Sequence, residues 1–130
     1  VQEITSKLTS RGYQREAVAT LVAALAAENL LSDTRFVEEF VASRARRGSG
    51  PVKIRDELRS RGVDETLVET TLMERAESWA ANAANVRRKR FGVALPRDYA
   101  ERARQARFLQ QRGFSMDAIR AALDGDVEDE

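Results

Sequence analysis

LRSRGV, residues 58–63, is one of three copies of a six-residue string in this chain; the others are LTSRGY at 8–13 and LQQRGF at 109–114. The copies are 50 and then 51 residues apart, and each is followed at matched offsets by two further apolar residues. Self-similarity at a fixed period is the signature of an array of supersecondary units. The string therefore predicts three copies of one structural module.

Each copy has the composition of a tight corner between two helices. A glycine just past the end of a helix readily adopts the left-handed conformation that ends it. In that ending the apolar residue after the glycine contacts the residue that opens the string, and it also lies at the start of the next helix. The residues assigned to these structural corners are Leu8, Gly12 and Tyr13; Leu58, Gly62 and Val63; and Leu109, Gly113 and Phe114.

Further helix start and stop signals predict an all-α chain with no strands. One helix ends at the first corner, and seven more are expected: four over about 14–28, 33–46, 51–61 and 65–73, a longer one that carries Trp79 and Val86 and ends near 91–92, and two over about 96–112 and 115–125. These eight helices form an elongated tandem array of three-helix modules. The modules are residues 1–48, with the N-terminal helix truncated, 51–92, and 96–125, which is partial; residues 126–130 are an acidic, frayed tail. Because much of the apolar content is alanine, we expect several thin cores.

The chain has no histidine and no cysteine. Without them it has no nucleophile–base pair of the common kinds, no disulfide and none of the usual metal ligands. We therefore expect no enzyme activity, no metal, no cofactor and no small-molecule substrate, and a protein that binds other macromolecules. No apolar run approaches the roughly 20 residues of a membrane span, so we expect no membrane contact and a cytoplasmic location.

Basic residues are concentrated in two blocks, although the net charge is only +1. Residues 44–61 carry seven positive and two negative charges, and residues 87–107 carry eight and two. Such blocks can meet phosphates or an acidic protein surface; the alternative is that the arginines simply solvate helix faces. On the functional reading the two blocks line up on one side, as patches about one repeat apart that can contact a partner separately. The candidate partner-binding or nucleic-acid-binding residues are Arg44, Arg46, Arg47, Lys53, Arg55, Arg59, Arg87, Arg88, Lys89 and Arg90.

The central part of the chain resembles the bacterial RecX regulatory family. The resemblance rests on LSDTRF at 31–36, FVASR at 40–44, RGSGP at 47–51 and RG at 61–62, and RFLQQRGFS at 107–115 is similar to the family's C-terminal signature. It implies three tandem three-helix modules in an elongated molecule. It also implies a cytoplasmic regulator that binds the RecA–DNA filament and inhibits the RecA recombinase and its ATPase in homologous recombination, DNA repair and the SOS response.

Two features depart from the family's pattern. Ser49 lies between two glycines where family members often carry an aromatic or other bulky residue, and most of the helix that opens the first module is absent. The expected partners are the RecA filament and, weakly and without sequence preference, single- or double-stranded DNA. The alternative is a helix-turn-helix-like DNA-binding regulator acting without RecA, although three near-identical corners are unusual around a single recognition helix.

Overall fold

A computed structural model describes residues 12–127 of the chain, with side chains from Gln14 onward. These residues form six α-helices and one short 3₁₀ turn, and no strand occurs among them, which confirms the all-α fold. The helices are α1 (Gly12–Arg46), α2 (Pro51–Ser60), α3 (Glu65–Glu74), α4 (Trp79–Phe91), α5 (Tyr99–Gln111) and α6 (Met116–Asp124), and the 3₁₀ turn at Ala76–Ser78 joins α3 to α4.

The predicted break ahead of Asp33 is wrong, because residues 12–46 form one helix of 35 residues. No glycine or proline occurs between residues 13 and 47, and the segment is rich in alanine, the best helix former. Asp33 therefore lies inside α1 instead of capping a new helix, and the Thr34 hydroxyl donates to the carbonyl oxygen of Leu30 at 2.9 Å. This merger accounts for one of the eight predicted helices; the helix predicted before Gly12, like Leu8, lies outside the described residues.

The first corner stays a prediction, since only its last two residues are described. Gly12, expected to end a helix, is the first residue of α1 as described. Within Gln14–Arg46 an 18-residue window of that helix has a mean hydropathy of 1.2, so the helix is long and apolar enough to cross a membrane by length and composition alone. Glu28 and Asn29 interrupt the apolar run of this helix, so counting uninterrupted apolar residues along the sequence does not identify the segment. Core helices and signal sequences pass the same test, and it is only a weak indication of a membrane.

The chain divides into two compact units, Val1–Phe36 and Val37–Glu130. The second unit contains one contiguous core instead of the several thin cores expected. Small residues in α4 and α6 let these helices approach closely, because protein interiors are close-packed. The core residues are Val37, Val41, Ile54, Leu58, Val68, Leu72, Trp79, Ala83, Ala84, Leu109, Phe114, Ala118, Ile119, Ala122 and Leu123. The elongation of the whole array and the module boundaries stay predictions.

The second and third corners have the predicted geometry. Gly62 and Gly113 have φ of +75° and +95°. The Val63 amide donates to the carbonyl oxygen of Leu58 at 3.3 Å, and the Phe114 amide donates to that of Leu109 at 3.2 Å. A shorter bond from each glycine amide completes the Schellman ending, from Gly62 to Arg59 at 3.0 Å and from Gly113 to Gln110 at 2.9 Å.

The helices that follow these corners begin at side-chain caps. The Asp64 carboxylate accepts from the amide of Thr66, and the Ser115 hydroxyl accepts from that of Ala118. Pro51 is the first residue of α2, as expected. Helix α5, however, begins at Tyr99 rather than at Pro96, because the Asp98 carboxylate accepts from the Glu101 amide at 2.8 Å and sets the first turn there.

Candidate functional site

A basic groove of about 420 Å³ lies within the second unit, where the end of α1 faces α4 and the end of α5. Five of its lining side chains are cationic, and none of the lining residues is acidic. The groove is lined by Ala45, Arg46, Arg47, Gly48, Asn82, Asn85, Val86, Lys89, Arg90, Phe108 and Arg112. We call this set the basic groove.

The end of α1 has the same architecture as the corners. Gly48 has a φ of +91°, its amide donates to the carbonyl oxygen of Ala45 at 3.0 Å, and the Ser49 amide donates to that of Arg44 at 3.0 Å. A Cβ on Gly48 would lie 3.2 Å from Val86 Cγ2 and 3.3 Å from an Arg112 guanidinium nitrogen. The glycine therefore ends the helix and also lets its last turn, with Arg46 and Arg47, approach α4.

Aromatic rings hold two of the guanidinium groups. The Arg90 and Arg112 guanidinium carbons lie 5.5 and 5.3 Å from the centroid of the Phe108 ring. Phe91 supports that ring edge-on, with centroids 5.4 Å apart. Arg112 Nη1 also donates to the carbonyl oxygen of Arg47 at 3.3 Å. Cation–π contacts of this kind contribute about 0.5–1 kcal/mol at exposed sites, so these side chains are partly ordered before anything binds.

The structure brings part of each predicted basic block into the same groove. Arg46 and Arg47 come from the first block, and Lys89 and Arg90 come from the second. These four residues therefore lie on one side of the second unit, as expected, but they do not form two separate patches. The chain between them folds back through α2 and α3, so cations distant in sequence line one concave surface.

Three other candidates are ion-paired, one between α1 and α2 and two between α2 and α3. Arg44 pairs with Glu57 at 3.1 Å, Arg55 with Glu69 at 2.6 Å, and Arg59 with Glu65 at 3.5 Å. The hydrogen bond to Glu69 raises the pKa of Arg55, and the same bond lowers the pKa of Glu69. The Lys53 side chain is exposed on α2, but it does not line the groove.

Arg87 does not belong to a binding surface, which corrects its assignment as a candidate. Its side chain is only 1% exposed. The guanidinium donates to the carbonyl oxygens of Val93 and Ala94 at 3.2 and 3.1 Å and to Gln105 Oε1 at 3.4 Å. Burial, and then the nearby charge of Arg88, lower the pKa of this group. Arg87 therefore ties the 92–98 connection to α4 and α5.

Arg88 is half-buried and donates to the side-chain oxygen of Asn85. Because Asn85 lines the groove, Arg88 supports the wall without lining it. The remaining candidates are more exposed than Arg87 and Arg88. They are Arg46, Arg47, Lys89 and Arg90. No ion pair joins any of these four to an acid within the described part of the chain.

Sequence reasoning missed the four other polar or aromatic groove residues, namely Arg112, Phe108, Asn82 and Asn85. Arg112 belongs to the third copy of the string, and neither Arg112 nor Phe108 lies in one of the two basic blocks. The helical spacing could have predicted part of the groove. Residues 82, 85, 86 and 89 are spaced i, i+3, i+4 and i+7, so they share one face of a helix. Nothing local indicates that this face meets the end of α1.

The described residues bring together no group of three or more potential metal ligands of the histidine, cysteine, aspartate and glutamate types. The groove itself contains only positive side chains, amides, one aromatic ring and small apolar residues. Its chemistry is that of binding an anion, because guanidinium and ammonium groups donate hydrogen bonds and accept none.

Two protein-family models match the chain. The model described as RecX, second three-helix domain, matches residues 32–72, and that described as RecX, third three-helix domain, matches residues 77–123. Among curated proteins, the Regulatory protein RecX of Halorhodospira halophila is 45% identical over 129 residues, covering 99% of this chain and 80% of the relative. The Regulatory protein RecX of Pseudomonas fluorescens is 44% identical over 128 residues, covering 98% and 83%.

The first matched range ends at residue 72 and the second begins at residue 77. The 3₁₀ turn at Ala76–Ser78, which follows α3, lies at this boundary. The basic groove draws Arg46 and Arg47 from the first range, and it draws Asn82, Lys89, Arg90 and Arg112 from the second. Both matched ranges therefore contribute cations to one surface.

Proposed function

This chain belongs to the RecX family of regulatory proteins, and from that premise we propose that it binds the RecA–DNA filament and inhibits the RecA recombinase and its ATPase. Its setting is then homologous recombination, DNA repair and the SOS response, in the cytoplasm. The proposal rests on the family resemblance for the partner and on the basic groove for the contact.

The basic groove is the observation that carries the proposed contact. A RecA–DNA filament presents DNA phosphates and protein carboxylates, and a concave surface with five cations and no acid complements either. The candidates Arg44, Arg55 and Arg59 are paired with acids of the chain itself. Arg46, Arg47 and Lys89, by contrast, are exposed. Charge is therefore available for a partner at the groove.

The test is RecA-catalysed ATP hydrolysis on single-stranded DNA, followed with and without the purified chain. We expect the parent chain to inhibit hydrolysis and the triple reversal Arg46→Glu, Arg47→Glu and Lys89→Glu to inhibit at least about ten-fold more weakly, because close charge pairs at interfaces are worth about 1.5–7 kcal/mol. The matched control is Arg97→Glu, Arg107→Glu and Arg120→Glu, which makes the same change in net charge at exposed residues outside the groove.

Circular dichroism and the melting temperature must be the same for both triple variants. Inhibition that survives the groove reversal at parental strength would place the contact elsewhere on the chain. A parent chain that leaves RecA hydrolysis unchanged but binds a particular duplex sequence would instead support the helix-turn-helix-like regulator acting without RecA.

A further inference from the structure

An apolar groove lies between α5 and α6, separate from the basic groove. It encloses about 230 Å³, and none of its lining residues belongs to the basic groove. Ala103 and Ala106 line it from α5, and Ile119 and Leu123 line it from α6. Alanine fills little of the space beside the larger side chains, so the surface stays concave along the line where the two helices meet.

Two large apolar side chains are exposed at the ends of this groove. Tyr99 is 78% exposed and Met116 is 59% exposed, and both line it. Arg102, near the start of α5, pairs with Asp124, at the end of α6, at 2.8 Å, so the two helices run in opposite directions. Tyr99 and Met116 are the first residues of their helices and therefore lie at opposite ends of the groove. Apolar side chains grouped in this way mark an interaction surface, whereas a single exposed one does not.

Charges of both signs lie beside the groove. Asp117 and Arg120 are on the exposed side of α6, with side chains 95% and 64% exposed. They are three residues apart, and their nearest charged atoms are 3.5 Å apart. Exposed pairs of this kind hold each other weakly, so both charges can turn to a partner. A partner that matches this surface must itself carry an acid and a base at a similar spacing.

A second copy of the chain meets these requirements when it is related by a two-fold axis. Such an axis presents the same surface on both partners, so the surface must be complementary to itself. If the axis passes beside the middle of α6, the two copies of α6 lie antiparallel, and Arg120 of each copy faces Asp117 of the other. The same axis brings the Met116 end of one groove towards the Tyr99 end of the other, where methionine sulfur packs favourably against an aromatic ring.

We infer that the groove between α5 and α6 is the contact surface of a homodimer, in which each copy of the chain occupies the groove of the other. This inference does not depend on the proposed function. Helix α6 has nine residues and is therefore about 14 Å long, which gives a contact smaller than the roughly 800 Å² per partner of a standard interface. We expect a weak dimer, with a dissociation constant in the micromolar range.

The direct test is sedimentation velocity on the intact chain, at concentrations from below to well above the micromolar range. We expect the average mass to rise with concentration from that of the monomer towards twice that value. A chain that stays monomeric throughout overturns the inference and leaves the proposed function untouched. An average mass that passes twice the monomer mass also overturns it, because a two-fold contact closes on itself. The RecA assay is run below this range, where the chain is monomeric, so self-association does not affect its Arg120→Glu control.

Two charge variants locate the contact. Asp117→Arg leaves two cations at these positions and Arg120→Asp leaves two anions, so either variant alone sets like charges against each other across the axis. We expect self-association of each variant to weaken at least about ten-fold, because like charges that face each other oppose association. An equal mixture of the two variants should recover parental association, since cations then face anions. Recovery of that kind cannot arise within one chain.

The matched controls are Glu38→Arg and Arg35→Asp, which make the same changes at exposed residues of α1 that are also three apart. Each should associate like the parent, and their mixture should show no gain. All variants must keep the circular dichroism of the parent. If Asp117→Arg does not fold, Met116→Lys replaces it, and self-association should weaken at least about ten-fold because an ammonium group enters the apolar contact. Folded groove variants that associate like the parent overturn the inference, and so does a mixture of the two charge variants that stays monomeric.

Discussion

The second and third corners share a sequence string and a hydrogen-bonding pattern, yet they differ in what surrounds the glycine. A Cβ on Gly62 would meet nothing within 4 Å. A Cβ on Gly113 would lie 2.5 Å from the Cβ of Lys53 and 2.6 Å from its backbone nitrogen. The same local ending is therefore exposed in one module and buried against another segment in the next.

Backbone hydrogen bonds explain why the third corner is buried. The Gly50 amide donates to the carbonyl oxygen of Arg112 at 2.7 Å, and the Val52 amide donates to that of Gly113 at 2.9 Å. These bonds satisfy amides at the start of α2 that have no partner within their own helix. They also place Arg112 beside Arg47, so the third corner assembles the groove.

The second corner has the same backbone ending, and side-chain ion pairs bridge it. Pairs from α2 to α3, Arg55 with Glu69 and Arg59 with Glu65, bridge it at the surface. Exposed ion pairs of this kind contribute about 0–1 kcal/mol each. The comparison shows that a repeated string specifies how a helix ends. It does not specify whether the ending packs against another segment of the chain.

The largest effect is expected for Gly113→Ala. The left-handed backbone should cost about 1–2 kcal/mol, and overlap with the start of α2 should add about 1–3 kcal/mol. We expect a loss of about 3 kcal/mol in the free energy of unfolding, measured by urea denaturation. Inhibition of RecA-catalysed ATP hydrolysis should weaken as well, because Arg112 moves with its corner. A loss no larger than that of Gly62→Ala would contradict the difference between the corners.

A smaller effect is expected for Gly50→Ala, on the other side of the same contact. Gly50 has a φ of −92°, which any residue adopts, so backbone strain plays no part. Its Cβ would nevertheless lie 2.4 Å from the carbonyl carbon of Gly113. Overlap alone should cost about 2 kcal/mol. Combining this change with Gly113→Ala should give less than the sum, since both disturb one contact; full additivity would show that the contact is misidentified.

Gly62→Ala isolates the backbone contribution at the second corner. The residue has a φ of +75° with open space around it. The expected loss is about 1 kcal/mol, the lower end of the cost of a left-handed conformation. Inhibition of RecA-catalysed ATP hydrolysis should stay within error of the parent chain. A marked loss of inhibition with this variant would mean that the second corner also shapes the groove.

The smallest effect is expected for Glu69→Gln, which removes a surface ion pair at the second corner. Because Arg55 lowers the pKa of Glu69 in the folded chain, the pair stabilises the fold at pH values above the ordinary glutamate pKa. That contribution disappears as the pH falls through the lowered value. At neutral pH the loss should be below about 1 kcal/mol, since the Glu69 side chain is 46% exposed. The parent and the variant should become equally stable in acid; a difference that persists there would implicate packing instead of charge.

The sequence predicted the described corners well because a helix ending depends on a few neighbouring residues. The positive φ of Gly62 and Gly113, the caps at Asp64 and Ser115, and Pro51 at the start of α2 follow from local backbone preferences. Asp33 shows the limit of the same reasoning. A good cap residue does not start a helix when the chain on both sides already favours a continuous one.

Sequence alone thus determined an all-helical chain, the second and third corners and the resemblance to the RecX family, all of which depend on local or contiguous patterns. Tertiary structure decided which basic residues face outward together. Arg87 and Lys89 are two residues apart, yet one is buried beneath the 92–98 connection and the other lines the groove. The reason is physical: composition does not show which face of α4 is covered, because that is settled by packing against α6 and by the docking of the third corner on the start of α2.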